Sequence, residues 1–219
     1  MNTLKKRQAH FFLFCLFIAA WPLFAQPKVS LSEPNFTEFK SADGYPQGIV
    51  TDIHQDKLGF IWIATADGLF RFDGYNFKEY RTSIEDKNTI PSNTITQVLS
   101  DKADNIWIST EGNGLSQLNR KTGQFKHYYA RKENPGTIPD NNIWNLCLDQ
   151  NGRIWAGSRS NGLFSLDPQT DSIRQFLTLI DDQNSLWSNQ ITAICQLSSG
   201  LLWVGTAKGI NLVNPKQEK

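Results

Sequence analysis

Four tryptophans set the frame of this chain. Trp62, Trp107, Trp155 and Trp203 follow one another at intervals of 45, 48 and 48 residues. The text around them repeats as Ile61-Trp62-Ile63-Ala64-Thr65, Ile106-Trp107-Ile108-Ser109-Thr110, Ile154-Trp155-Ala156-Gly157-Ser158 and Leu202-Trp203-Val204-Gly205-Thr206. A fixed period of this length marks one supersecondary unit copied several times, each copy burying its apolar surface against the next.

Each copy has the same internal order. An apolar strand comes first: Val50-Thr51-Asp52-Ile53, Ile95-Thr96-Gln97-Val98, Ile143-Trp144-Asn145-Leu146 and Ile191-Thr192-Ala193-Ile194. A turn leads to the Trp strand. Its first place is Asp56, Asp101, Asp149 or Leu197, and its fourth is Gly59, Asp104, Gly152 or Gly200. Asp bonds turn backbone, and Gly or Asp tolerates positive φ. A third strand opens with Gly68, Gly114, Gly162 or Gly209, and a fourth, aromatic one reads Phe77-Lys78-Glu79-Tyr80, Phe125-Lys126-His127-Tyr128 or Ile173-Arg174-Gln175-Phe176. The linkers match as well, with Pro91, Pro139 and Trp187 at one shared place.

Four short strands in roughly 45 residues predict a β-propeller blade. The fold class is therefore all-β, with about four blades, each a four-stranded antiparallel sheet. The unbroken apolar runs fit inner strands buried on both faces, which makes Trp62, Trp107, Trp155 and Trp203 core wedges. The boundaries read as a first blade over 49–93, a second over 94–141, a third over 142–189 and an incomplete fourth over 190–219, after an N-terminal segment over 26–48. Phe36-Thr37-Glu38-Phe39 resembles the aromatic fourth strand and would close the last blade of a four-blade ring. The alternative, which the low end of the propeller range favours, is part of a larger propeller.

The first 25 residues read as a signal peptide. Lys5, Lys6 and Arg7 precede an uncharged apolar run, and Ala25 offers a small residue for cleavage. The run is too short to span a bilayer as an anchor. The protein is thus expected in the periplasm or secreted. Loss of those three positive charges takes the net charge from +1 to −2, which gives no reason to expect nucleic acid as a partner. Cys147 and Cys195 occupy equivalent places and read as two separate buried thiols rather than a disulfide.

The repeat Ile-x-x-Ile-x-x-Asp-x-x-Gly-x-Ile-Trp-Ile-Gly-Thr-x-x-Gly-Leu-x-x-Leu-Asp, with its Asn-Ser-Leu-x-x-Asn linker, resembles the two-component regulator propeller over about Phe36 to Asn214. That family is the periplasmic sensor region of hybrid histidine kinases in Bacteroidota. The resemblance implies the ligand-sensing module of a two-component signal transduction system, answering an extracellular signal such as an oligosaccharide. No kinase-type phosphoacceptor region or nucleotide-binding glycine motif is visible, so the expectation is the non-catalytic N-terminal part, the kinase belonging to a full-length parent. A homodimer through propeller contacts fits the same reading.

Chemistry is sparse. His54, His127 and the cysteines form no ligand spacing, so neither a metal nor a cofactor is expected. A secreted propeller lyase or glycosidase is the alternative from another class, and it would depend on His54 or His127. A truncated, non-functional gene product is a third reading. For ligand binding, the departures from the repeat stand out. Trp144 replaces a Thr, Trp187 replaces a Pro, and Arg159 with Asn161, and Glu111 with Asn113, occupy the loops before the third strands. An Arg beside a Trp suits a charged or hydroxyl-rich ligand. Packing of either Trp against a neighbouring blade is the competing explanation.

Overall fold

The computed structural model describes residues 36–39, 48–131, 134 and 136–216. The expected signal peptide lies outside the described residues. Strands appear wherever the repeat places an apolar or β-branched run, and they form four antiparallel meanders. The first is β1 (Val50–Gln55), β2 (Ile61–Thr65), β3 (Gly68–Phe72) and β4 (Phe77–Tyr80). The second is β5 (Ile95–Ser100), β6 (Ile106–Thr110), β7 (Leu115–Asn119) and β8 (Gln124–Tyr128). The third is β9 (Ile143–Leu148), β10 (Ile154–Ser158), β11 (Leu163–Leu166) and β12 (Ile173–Phe176). The fourth has three strands, β13 (Ile191–Gln196), β14 (Leu202–Thr206) and β15 (Gly209–Val213). These sheets are propeller blades, and together they make a partial propeller.

The first strands stack in order, β1 on β5, β5 on β9 and β9 on β13. One apolar cluster fills each junction between blades. Trp62 packs with Ile95, Val98 and Ile106 at the first, Trp107 with Ile143, Leu146 and Ile154 at the second, and Trp155 with Ile191, Leu202 and Val204 at the third. An aromatic ring of the fourth strand lies against each of these indoles: Tyr80 on Trp62, Tyr128 on Trp107 and Phe176 on Trp155, at 5.5, 5.7 and 5.4 Å between centroids.

The turn Asp does two jobs. One carboxylate oxygen of Asp56 accepts from the Leu58 and Phe60 amides, and the other accepts from Trp62 Nε1 at 2.7 Å. Asp101 and Asp149 repeat the arrangement with Trp107 and Trp155. At the fourth turn position, Asp104 adopts φ of 70° where Gly59, Gly152 and Gly200 adopt 88–89°, so Asp stands in the left-handed conformation the turn demands.

The last blade departs from expectation. Trp203 is 45% exposed against 0–1% for the other three, because among the described residues nothing packs on the outer face of β13–β15. Trp203 is therefore not a core wedge here. Ile210 and Leu212 are bare on the same blade, and Cys195 is exposed rather than buried, while Cys147 is half-buried; both thiols are free. Phe36–Phe39, expected as a closing strand, has no strand conformation. The Phe39 ring instead packs edge-on against Phe72 and Phe77 of the first blade.

Candidate functional site

The four copies differ at positions that the backbone holds fixed. In every first strand the pairing slips by one residue against the second strand: between Val50 and Asp52, between Ile95 and Gln97, at Ile143 and Asn145, and between Ile191 and Ala193. The extra residue is Thr51, Thr96, Trp144 or Thr192. A β-bulge re-aims its side chain out of the ordinary pleat. Here the bulge directs it along the seam between blades.

At the first two junctions the bulged Thr ties neighbouring blades together. Thr51 Oγ1 donates to the Ile95 carbonyl at 2.8 Å, and Thr96 Oγ1 to the Ile143 carbonyl at 2.6 Å. The residue after the bulge adds a second tie. The Val98 amide donates to Asp52 Oδ2 at 3.0 Å, and the Leu146 amide donates to Gln97 Oε1.

At the third junction both ties are missing. Trp144 has no hydroxyl for the Ile191 carbonyl, and the indole is 43% exposed. Asn145 Oδ1 is buried with no hydrogen-bond partner. The opposite end of the same junction remains stitched, with the Gln150 amide donating to Gln196 Oε1 and Gln150 Nε2 to the Ser198 carbonyl. The Ile191 side chain also packs closely on the Gly157 backbone: a Cβ on Gly157 would stand 2.5 Å from Ile191 Cγ2. The result is a local crevice of about 290 Å³, lined by Trp144, Asn145, Arg159, Gln190, Ile191 and Thr192.

Arg159 reaches this crevice through a position common to all blades. The residue after the second strand donates its amide to the residue just before the first: Ala66 to Ile49, Glu111 to Thr94, Arg159 to Asn142 and Ala207 to Gln190. The pinned backbone thus carries Ala, Glu, Arg and Ala in turn. In the third blade the guanidinium lies over the Trp144 ring, 5.3 Å from its centroid. No salt bridge to Arg159 is present among the described residues. Trp144 Nε1 makes only a long contact to Asn142 Oδ1, at 3.4 Å.

The other expected residues fall elsewhere. Asn161 is engaged with the linker before its blade and with the blade itself, donating from Nδ2 to Asp140 Oδ2 at 3.0 Å and accepting from Gln175 Nε2 at its carbonyl. Glu111 and Asn113 are exposed in the loop of the second blade and do not line the crevice. Trp187 borders a separate, open hollow with Thr178, Asp182, Ser185 and Lys208. Its ring occupies the space a side chain at Gly209 would need, 2.7 Å from that Cβ position. Asn145, Gln190 and Thr192 were not singled out from sequence. The repeat alignment held a signal for Asn145, which stands where Asp52 and Gln97 stand.

His54 and His127 both bond serines. His54 Nε2 accepts from the Ser100 amide at 3.1 Å and meets Ser100 Oγ at 2.8 Å across the first junction. Burial pushes its pKa below the usual imidazole value, against the pull of Asp52 and Asp56. His127 Nδ1 meets Ser116 Oγ at 2.9 Å, and burial lowers its pKa too. Among the described residues neither bonds a carboxylate that would orient a general base.

Comparison with known proteins agrees with the propeller fold. The Two component regulator propeller family matches at residues 44–67, 89–112, 137–160 and 185–208. Histidine kinase P4 of Formosa agariphila is 44% identical over 72 residues, which is 31% of this chain and 5% of that protein. The extracellular domain of a protein assigned as a hybrid two-component system of B. thetaiotaomicron superimposes with a TM-score of 0.63 at 24% identity, over 84% of this chain and 31% of that one. A second such domain from B. thetaiotaomicron gives 0.63 at 27% identity, over 78% and 22%. Virginiamycin B lyase from Staphylococcus aureus gives 0.54 at 18%, over 77% and 56%. The first domain and the lyase, at such identities, show the shared fold alone. The chain thus spans 5% of the histidine kinase and 22–31% of the two extracellular domains.

Proposed function

Since this chain belongs to the two-component regulator propeller family, carrying four copies of its repeat, we propose that it is the periplasmic ligand-sensing module of a two-component signal transduction system. In this reading it is the N-terminal part of a hybrid sensor histidine kinase. It answers a glycan and performs no chemistry itself. The basic and apolar N-terminus supports export to the periplasm. The histidine kinase relative and the extracellular domains of B. thetaiotaomicron support the signalling context.

The observation that carries the reading is the third junction. Two of the three blade seams are sewn shut by a bulged Thr, and the third carries an exposed Trp under an Arg at the same bulge. Exposed indole, an unpaired guanidinium and a concave seam are the elements of a small-molecule site. Both histidines are already engaged with serines across or within blades. That supports binding without turnover and weighs against the enzyme reading.

The test is calorimetric titration of the full chain with a panel of oligosaccharides, followed by chromatography of the recovered sugars. Saturable binding with every sugar recovered intact is the expected result. Cleavage or elimination of a bound sugar, or failure of every sugar to bind a folded chain, would overturn the proposal.

A further inference from the structure

The chemistry of the crevice narrows its ligand, on the premise that the chain is a glycan-responsive sensor. Among its lining residues Arg159 is the one charge, and none is a carboxylate. The acceptors are Asn145 Oδ1, buried without a donor, and the Ile191 carbonyl, which lacks the Thr hydroxyl its counterparts Ile95 and Ile143 receive. The volume of about 290 Å³ is near the bottom of the range for ligand sites. It holds one ring of a sugar, not a length of chain.

From these features we infer that the third junction binds a single acidic sugar unit, a hexuronate residue of a glycan. The apolar face of the ring rests on Trp144. The planar carboxylate pairs with the planar guanidinium of Arg159, a bidentate match that Lys could not reproduce. Ring hydroxyls donate to Asn145 Oδ1 and the Ile191 carbonyl. A buried acceptor without a partner is costly, so a hydroxyl that satisfies Asn145 adds affinity that an apolar ligand cannot supply. A neutral sugar leaves Arg159 without a counter-ion.

The repeat supplies its own control. Trp144→Thr restores the residue of the other blades and the hydroxyl tie to Ile191, so the variant folds while losing the platform. The experiment titrates the full chain with a hexuronate disaccharide, the neutral disaccharide of the same linkage and a sulfated neutral disaccharide. The hexuronate is expected to bind about tenfold or more tightly than the neutral disaccharide, and at least as tightly as the sulfated one. Arg159→Gln is expected to remove that preference, Trp144→Thr to remove binding, and higher salt to weaken the charged sugars and not the neutral one. Equal binding of neutral and acidic sugars, preference for the sulfated one, or an unaltered preference in Arg159→Gln would overturn the inference while leaving a glycan sensor in place. If no sugar binds the folded chain, the inference falls together with the reading it rests on.

Discussion

At the scale of single residues, the turn Asp is the hinge of each blade's stability. Asp149 is 1% exposed, caps the turn through Oδ1 and accepts a hydrogen bond from Trp155 Nε1 through Oδ2. Asp149→Ala strands a buried indole N–H and uncaps a turn. It should cost about 1–3 kcal/mol in urea melts. The fourth blade shows the limit of that rule, since Leu197 replaces the Asp where the Trp is half exposed. His54 makes a second prediction. Its pKa is lowered by burial, so the neutral form is preferred in the folded state. Its contribution is fully present above the ordinary value of 6.5 and is lost as pH falls through the lowered pKa. Melting temperature should drop between about pH 7 and pH 5. His54→Leu, which installs the residue found at Leu99, should flatten that drop, and an unchanged pH slope would refute the role given to His54.

At the scale of elements, the bulge in each first strand explains what the sequence could and could not disclose. Period, turn chemistry and aromatic fourth strands were legible because each is written several times over. The departure of Trp144 from Thr was legible for the same reason. The slip in pairing was not, because a bulge inserts no extra residue into the repeat when all four copies contain it. Without the bulge, Trp144 reads as one more strand residue, and nothing brings Arg159 to it. Asn161 was misread in the opposite sense: its polar side chain is spent on Asp140, a contact that depends on the fold of the linker. The bulge also predicts that Trp144→Thr leaves stability unchanged or raises it by about 0.5–1.5 kcal/mol, the worth of one added hydrogen bond. A large loss in chemical denaturation would mean that Trp144 is a packing residue after all.

At the scale of the whole molecule, four blades in an open series leave the end members unlike the middle. Four equal Trp anchors in the sequence suggested four equal cores, but burial of an anchor depends on the blade beyond it, which no local pattern encodes. Trp155→Ala should cost about 3–5 kcal/mol as a core cavity, and Trp203→Ala distinctly less. Parallel urea melts of the two variants check the difference. The site claim is also one about position within the series, at the seam of the third and fourth blades. It is tested most directly by hydrogen exchange of the full chain with and without a saturating hexuronate disaccharide. The account predicts slower exchange confined to 143–146 and 190–193, with the Trp187 hollow and the first two seams unchanged. Protection at Trp187, or at any other seam, with none around Trp144 would contradict it.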